Sequence, residues 1–324
     1  MTGGQGAKVA AGAVALVAVG ILWWAAADGQ DAPSDDGLAL TNDGLAVHFI
    51  DVGQGDATLL VAPDATVLVD TGRHTATDVV DYLERRQTHA IDVVAITHPH
   101  ADHIGQFPMV MDRFAVAEVW WSPSAHPTQA FERAVTALER SDAAFEEPAA
   151  GDVTEVGSLR FEFVNPAADG AGGDLHGNAL AFRVRYRDVS FLFTGDAEEQ
   201  TEQDMVAAHR ERLAATVYQV GHHGSSTSTS QAFLDAVSPR VAVYSAGRGN
   251  QYGHPHAEVV DRLDHAGAEV YGTDHHGTVV VTTDGTDLQV RTEPDQTARV
   301  SHATADRGCP RPTAAHAQGG TCAR

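Results

Sequence analysis

Lysine is almost missing from this chain. Of 324 residues only Lys8 is one, and every other basic residue is arginine. Positive charge is scarce altogether: 21 basic residues stand against 44 acidic ones, for a formal charge of -23. A surface so rich in carboxylate and so poor in lysine suits very high salt, where a short Debye length screens self-repulsion. In dilute buffer it repels nucleic acid, and near-molar salt weakens that repulsion. Cysteine is scarce too. Cys309 and Cys322 are the only two, both in the C-terminal tail, so disulfides do not staple the body of the chain. Outside the cell the pair would close one disulfide loop; two free thiols, or a weak metal site with His316, are the other readings. No short-period repeat is present.

Long apolar stretches are represented by Val9 to Ala27, uncharged throughout and ending I-L-W-W-A-A-A. Its length suits a membrane span, and Trp23 and Trp24 stand near its end, where indoles favour the interface. Lys8 precedes it, which places the N-terminus in the cytoplasm and the bulk of the chain outside. A cleaved signal peptide is the rival, because A-A-A-D resembles a small-residue cleavage site. The run exceeds most signal cores, so an anchor is the reading taken. No cysteine follows it to carry a lipid, and no twin arginine precedes it. The expected organisation is a short segment 1–7, an anchor or signal segment 8–27, a flexible linker 28–44, an ordered domain 45–293 and a loose tail 294–324.

Within the ordered part, A-V-H-F-I-D-V, A-T-L-L-V-A, T-V-L-V-D and I-D-V-V-A-I-T read as strands, with a helix at Thr77 to Gln87. A-E-V-W-W, a helix around Phe131 to Leu138, and L-R-F-E-F-V follow. A second set then begins: A-L-A-F-R-V-R-Y, V-S-F-L-F-T, T-V-Y-Q-V and R-V-A-V-Y-S as strands, with helices at Glu198 to Leu213, Gln231 to Val237 and Ala257 to His265. E-V-Y, G-T-V-V-V-T-T and L-Q-V-R-T close the domain. Two successive mixed sets predict an α/β protein of two face-to-face sheets with helices outside.

The densest chemistry is T-H-P-H-A-D-H, Thr97 to His103, directly after an apolar strand. His98 and His100 are two apart, so on extended chain they point the same way. Asp102 and His103 follow where the chain turns. Unpaired, such a cluster is hard to bury, whereas imidazole and carboxylate are good ligands for zinc, iron or manganese.

H-x-H-x-D-H after a strand resembles the signature of the metallo-β-lactamase fold family. F-I-D-V-G-Q-G-D-A, L-V-D-T-G, T-H-P-H-A-D-H-I-G, L-F-T-G-D, V-G-H-H-G-S and Y-G-H-P-H occur in that order. The series is similar to the hydrolase-like domain of ComEC-type competence proteins over roughly Leu45 to Thr292. The resemblance implies a four-layer αββα sandwich (metallo-β-lactamase fold) with a dinuclear site at one edge of the two sheets. It also implies handling of DNA at the cell surface. The family's full-length protein carries a channel of several spans, for which this chain has no room.

Under that resemblance His98, His100 and His176 hold one divalent ion, zinc or manganese. Asp102, His103 and His222 hold the other, and Asp196 and a hydroxide bridge them. Asp196 ends F-L-F-T-G-D, where an N-cap role is also open. Of the pair His222 and His223, the first past the strand is taken as ligand, with His223 behind it or against substrate. His176 stands where the competence-type domain usually reads asparagine, and Ala179 replaces a serine; His176 is a ligand or a loop histidine. Asp70 orients a ligand histidine or bonds local amides. Asp51 and Asp56 either face the cleft or serve the turn.

Asn178, Ser225 and Ser226 are candidate substrate contacts, and the run Gly224 to Ser230 offers hydroxyls and free amides suited to phosphate. His254 protonates a leaving oxygen or bonds phosphate, and Asp102 shares the catalytic role; His256 begins a helix. The expected activity is metal-dependent phosphodiester hydrolysis, with nucleic acid or another phosphodiester as substrate, outside the membrane. A lactone or other carboxylic derivative as substrate, or a non-catalytic nucleic-acid-binding module, are the alternatives.

Overall fold

Runs such as V-L-V at 67–69 and F-L-F at 191–193 are apolar at every position, and the fold uses both faces of them. The computed structural model describes residues 44–168 and 174–293. The first sheet contains β1 (Leu45–Phe49), β2 (Thr58–Ala62), β3 (Ala65–Val69), β4 (Ala90–Ile96), β5 (Ala115–Trp121) and β6 (Ala144–Glu146). The second contains β7 (Val153–Val156), β8 (Leu159–Asn165), β9 (Ala181–Tyr186), β10 (Val189–Phe193), β11 (Val217–Gln219), β12 (Val241–Tyr244) and β13 (Glu269–Gly272). The chain then returns to the first sheet through β14 (Thr278–Thr283) and β15 (Leu288–Glu293). The orders are β15-β14-β1-β2-β3-β4-β5-β6 and β13-β12-β11-β10-β9-β8-β7.

Successive strand side chains point to opposite faces. In β3, Val67 and Val69 enter the cluster between the sheets, while Leu68 enters the cluster under the helices. In β10, Phe191 and Phe193 face the other sheet and Leu192 faces outward. Helices α1 (Asp78–Arg85), α2 (Phe107–Arg113) and α3 (Gln129–Glu139) cover the first sheet through Val80, Leu83, Phe107, Val110 and Ala134. Helices α4 (Glu199–Leu213), α5 (Gln231–Val237) and α6 (Ala257–His265) cover the second through Met205, Phe233 and Leu263. The result is the expected αββα sandwich. Thr128 and Ser230 cap α3 and α5 by accepting from the amides of Phe131 and Phe233.

Four elements were not foreseen. Helix α2 has only seven residues and a proline in its first turn. Strands β6 and β7 are short, lie at sheet edges and carry no buried run. Helix α7 (Thr273–His276) is a single turn between β13 and β14. The expected segments 1–7 and 8–27, most of the 28–44 linker, the 294–324 tail and the Cys309–Cys322 pair lie outside the described residues. Among the described residues no helix is long and apolar enough to cross a membrane.

Aromatic rings fill the space between the sheets. Trp120 meets Phe161 and Phe163 edge-on at 4.9 and 5.4 Å, and Phe182 lies 5.4 to 5.7 Å from Phe161, Phe163 and Phe193. Phe182→Ala removes a fully buried ring at the centre of this group. It is expected to lower stability by about 3–5 kcal/mol, seen in urea unfolding as a lower midpoint at unchanged slope; a loss under about 1 kcal/mol would show that the sheets close over the gap.

Candidate metal centre

Parallel pairing decides where the polar turns meet. β3 runs parallel to β4, and β10, β11 and β12 run parallel to one another. The chain therefore leaves these strands at carboxyl ends gathered on one edge. Asp70 follows β3, Thr97 and His98 follow β4, Gly195 and Asp196 follow β10, and His222 and His223 follow β11. Leu180 N–H donates to the Thr97 carbonyl at 2.7 Å, linking the sheets. Gly195, at φ +50°, passes so close that a Cβ there would lie 2.8 Å from the Thr97 side chain. Only glycine permits that approach.

Three donor groups result, the third being His176, Glu198 and His222. In the first, His98, His100, His176 and Asp196 bring one atom each within 4.8 Å of one another. His98 Nε2 lies 2.9 Å from His100 Nδ1 and 3.4 Å from Asp196 Oδ2, and His176 Nε2 is 3.3 Å from His100 Nδ1. In the second, Asp56, His103, His223 and Asp196 converge. Asp196 Oδ1 lies 3.4 Å from His103 Nε2 and 3.7 Å from His223 Nε2, and Asp102 Oδ2 is 3.5 Å from His223 Nε2. Asp196 thus turns one oxygen to each of the first two groups.

Hydrogen bonds behind the rings fix which nitrogens face inward. Asp70 accepts from Thr97 N–H at 2.8 Å, from the Thr97 hydroxyl at 2.7 Å, and from His103 Nδ1–H at 2.8 Å. With its proton committed to Asp70, the Thr97 oxygen accepts from His98 Nδ1–H at 3.2 Å. His223 Nδ1–H donates to the Ser245 carbonyl at 3.0 Å. Each arrangement turns Nε2 towards the pocket, where a cation can take the place of any proton it carries. His103 Nε2, His223 Nε2 and Asp196 Oδ1 are buried and have no hydrogen-bond partner. Buried polar atoms without partners are costly, and mixed N/O donors at this spacing fit divalent cations.

The electrostatics follow from burial and crowding. Burial first, then the neighbouring imidazoles, push His98 and His100 down, His100 to about 4. Burial acts the same way on His103, yet Asp196 and Asp70 outweigh it and hold His103 well above the usual imidazole range. His223 is lifted to about 9 by Asp196 and Asp56 against its burial. Burial would raise Asp196, but His103, His223 and His98 hold it well below the ordinary carboxylate range.

Several sequence expectations change. His223, not His222, stands with Asp102 and His103. Both residues are left-handed, at φ 57° and 50°, and the twist swings the second ring inward. His222 instead shares Glu198 with His176: the Nδ1 atoms lie 3.5 and 3.4 Å from Glu198 Oε1. The amides expected to be free are taken. Those of Ser225 to Ser228 bond within the loop or to His256, and those of Thr229 and Ser230 donate to Glu202. Ser225 is buried, its hydroxyl bonded to Thr227, while Ser226 is exposed. An internal carboxylate therefore occupies the last two amides of the run assigned to phosphate.

Asn178 has a buried Oδ1 without a partner. His254 lies 5.8 and 6.2 Å, ring to ring, from His222 and His223. Burial and the adjacent histidines pull it to about 4, so near neutral pH it is a neutral ring rather than a proton donor of matched strength. Asp56, read evenly between turn and cleft, is buried, accepts from Gln219 Nε2 at 2.7 Å and faces His223 Nδ1 at 3.5 Å. Glu198 was read only as a helix start; its place after T-G-D-A was the available signal.

A profile described as the metallo-beta-lactamase superfamily matches residues 50–248. The chain is 28% identical over 252 residues to ComE operon protein 3 of Bacillus subtilis (strain 168), covering 72% of this chain and 32% of that protein. It is 30% identical over 241 residues to Competence protein ComA of Neisseria gonorrhoeae, covering 74% and 32%. The chain thus spans about a third of the length of these relatives. Among solved structures, the metallo-beta-lactamase fold protein YhfI from Bacillus subtilis aligns with a TM-score of 0.51 at 12% identity, over 74% of this chain and 100% of that one. That likeness is one of fold.

Without a cation, His103 and His223 carry a proton near neutral pH, and a cation must displace it. Zinc affinity is therefore expected to climb as pH rises towards about 9, the value for His223, by roughly tenfold per unit for each proton displaced. Calorimetric titration in two buffers of different ionisation enthalpy measures this; binding that releases no proton near neutral pH would show that these rings are not the donors.

Proposed function

The chain belongs to the metallo-β-lactamase superfamily, and we propose that it is a two-metal phosphodiesterase acting on nucleic acid or another phosphodiester outside the cytoplasmic membrane. Membership of the superfamily makes it a metal-dependent hydrolase in class. The observation that carries the finer reading is Asp196, with Oδ2 towards His98 and Oδ1 towards His103. A carboxylate so placed suits two cations, with His98, His100 and His176 on one side and His103, His223 and Asp102 on the other. Two divalent ions, zinc or manganese, would lower the pKa of a water and stabilise charge on the oxygens of an in-line displacement.

The chain's own groups do the rest. Asp70 and Thr97 hold the His98 and His103 rings in one tautomer. Asp102, kept ionised chiefly by His223 and His103 against its burial, stands at the mouth of the pocket. His254, neutral, offers a hydrogen bond to a phosphoryl oxygen beside His222 and His223. Two features favour phosphate over a carboxylic derivative. Exposed Arg73 lines the cleft that Asp102 opens onto, in a chain short of positive charge. The gonococcal relative also bears the name of a competence protein. The proposed location rests on Lys8 and the Val9 to Ala27 run, read as an anchor that leaves the catalytic domain outside.

Protein purified in concentrated salt and loaded with zinc or manganese is expected to hydrolyse bis-p-nitrophenyl phosphate in preference to a lactone panel. Asp196→Asn should lower kcat by about 10- to 100-fold with an unchanged circular dichroism spectrum. Faster turnover of lactones, or full activity in the variant, would overturn the reading.

A further inference from the structure

A cleft of about 490 Å³ is lined by Asp102, whose Oδ2 lies 3.5 Å from His223 Nε2 of the second donor group. Its walls come from separate turns: Gln54 after β1, Arg73 after β3, and Asn250 to Tyr252 after β12. Arg73 is exposed, and among the described residues its guanidinium enters no ion pair; Asp78 of α1 acts on it only at longer range. The guanidinium lies against Gly53, at φ +68°, where a Cβ would come within 2.8 Å of it. Glycine there makes its seat. Gln54 commits its carbonyl oxygen to Gly247 N–H at 3.2 Å, leaving its amide hydrogens for another acceptor.

The opposite wall is equally built. Asn250 Oδ1 accepts from the amides of Tyr252 and His254 at 3.0 and 3.1 Å, and its Nδ2 donates to Gly247 O at 2.9 Å. This knits the turn that presents Tyr252. The Tyr252 ring is 55% exposed, and of the large apolar side chains so exposed among the described residues it alone borders the cleft. It stacks on His254 with centroids 5.6 Å apart and planes 25° apart. A cation, an amide donor and an aromatic face therefore line one cleft that starts at the donor groups.

We propose that this cleft is a subsite for the nucleotide unit next to the scissile phosphate, with the flanking phosphate on Arg73 and Gln54 and the base on Tyr252. The inference rests on the phosphodiesterase reading and deepens it: the substrate is an oligonucleotide rather than a compact phosphodiester. Guanidinium binds phosphate oxygens in pairs, and base stacking on an exposed ring is tolerant of sequence. The Asp102 carboxylate on the same wall belongs to the cation cluster and would not face the flanking phosphate uncompensated.

The test separates binding from turnover. Anisotropy of fluorescein-labelled pentathymidylate on the metal-stripped full chain, across a salt series, reads the cleft without chemistry. Arg73→Gln is expected to weaken binding roughly tenfold and lower the salt slope by about 1, with Arg73→Lys partly restoring it. Tyr252→Ala is expected to weaken binding about tenfold without changing the slope. On metal-loaded protein both variants should raise KM for the oligonucleotide by more than they raise it for bis-p-nitrophenyl phosphate. Wild-type chain that does not bind pentathymidylate, or variants that bind it as well, would overturn the subsite. Loss of bis-p-nitrophenyl phosphate hydrolysis with oligonucleotide binding intact would instead overturn the phosphodiesterase reading and leave the subsite standing.

Discussion

Asp196 is 2% exposed and faces imidazoles on every described side, and this buried carboxylate is the constraint around which the edge of the sandwich is arranged. A charge withdrawn from water is tolerated only where opposite charge and hydrogen bonds surround it. Those partners come from strands in both sheets, so the carboxylate cannot be accommodated until the sheets face each other in register. Thr97 and Gly195 make that registration close, and Asp70 passes the requirement outward by holding Thr97 and His103. The aromatic filling between the sheets is thus coupled to the polarity of their rim.

What was legible in the sequence was local. His98, His100, Asp102 and His103 lie within six positions after a strand; their two-residue spacing aligns the first pair, and the turn that follows adds the other two. Asp196 was legible because a carboxylate directly after a buried strand and a glycine has few other uses. The choice between His222 and His223 was not, because consecutive left-handed residues reverse the direction that extended chain would give. The amides of the Ser/Thr loop were misread for another reason. Glu202 reaches them from a helix 27 residues earlier, and nothing in the loop's own composition announces an occupant. Asp56 illustrates the same limit, since its partner Gln219 is 163 residues away.

The acidity of the chain and the chemistry of its cleft are in tension, and the structure shows how they coexist. Glu202 takes the amides of Thr229 and Ser230 internally. The remaining cation near the donor groups is held by a glycine that gives its guanidinium room, not by an acidic partner that would neutralise it.

Strand order separates the first two donor groups along the chain. β7 to β10 form one consecutive antiparallel run, and the last donor of the first group, Asp196, stands directly at its end. The second group waits for His223, which is held by Ser245 only after the parallel crossovers to β11 and β12 are made. In chain order the donors of the first group are therefore all present at Asp196, while the second group is completed only by His223.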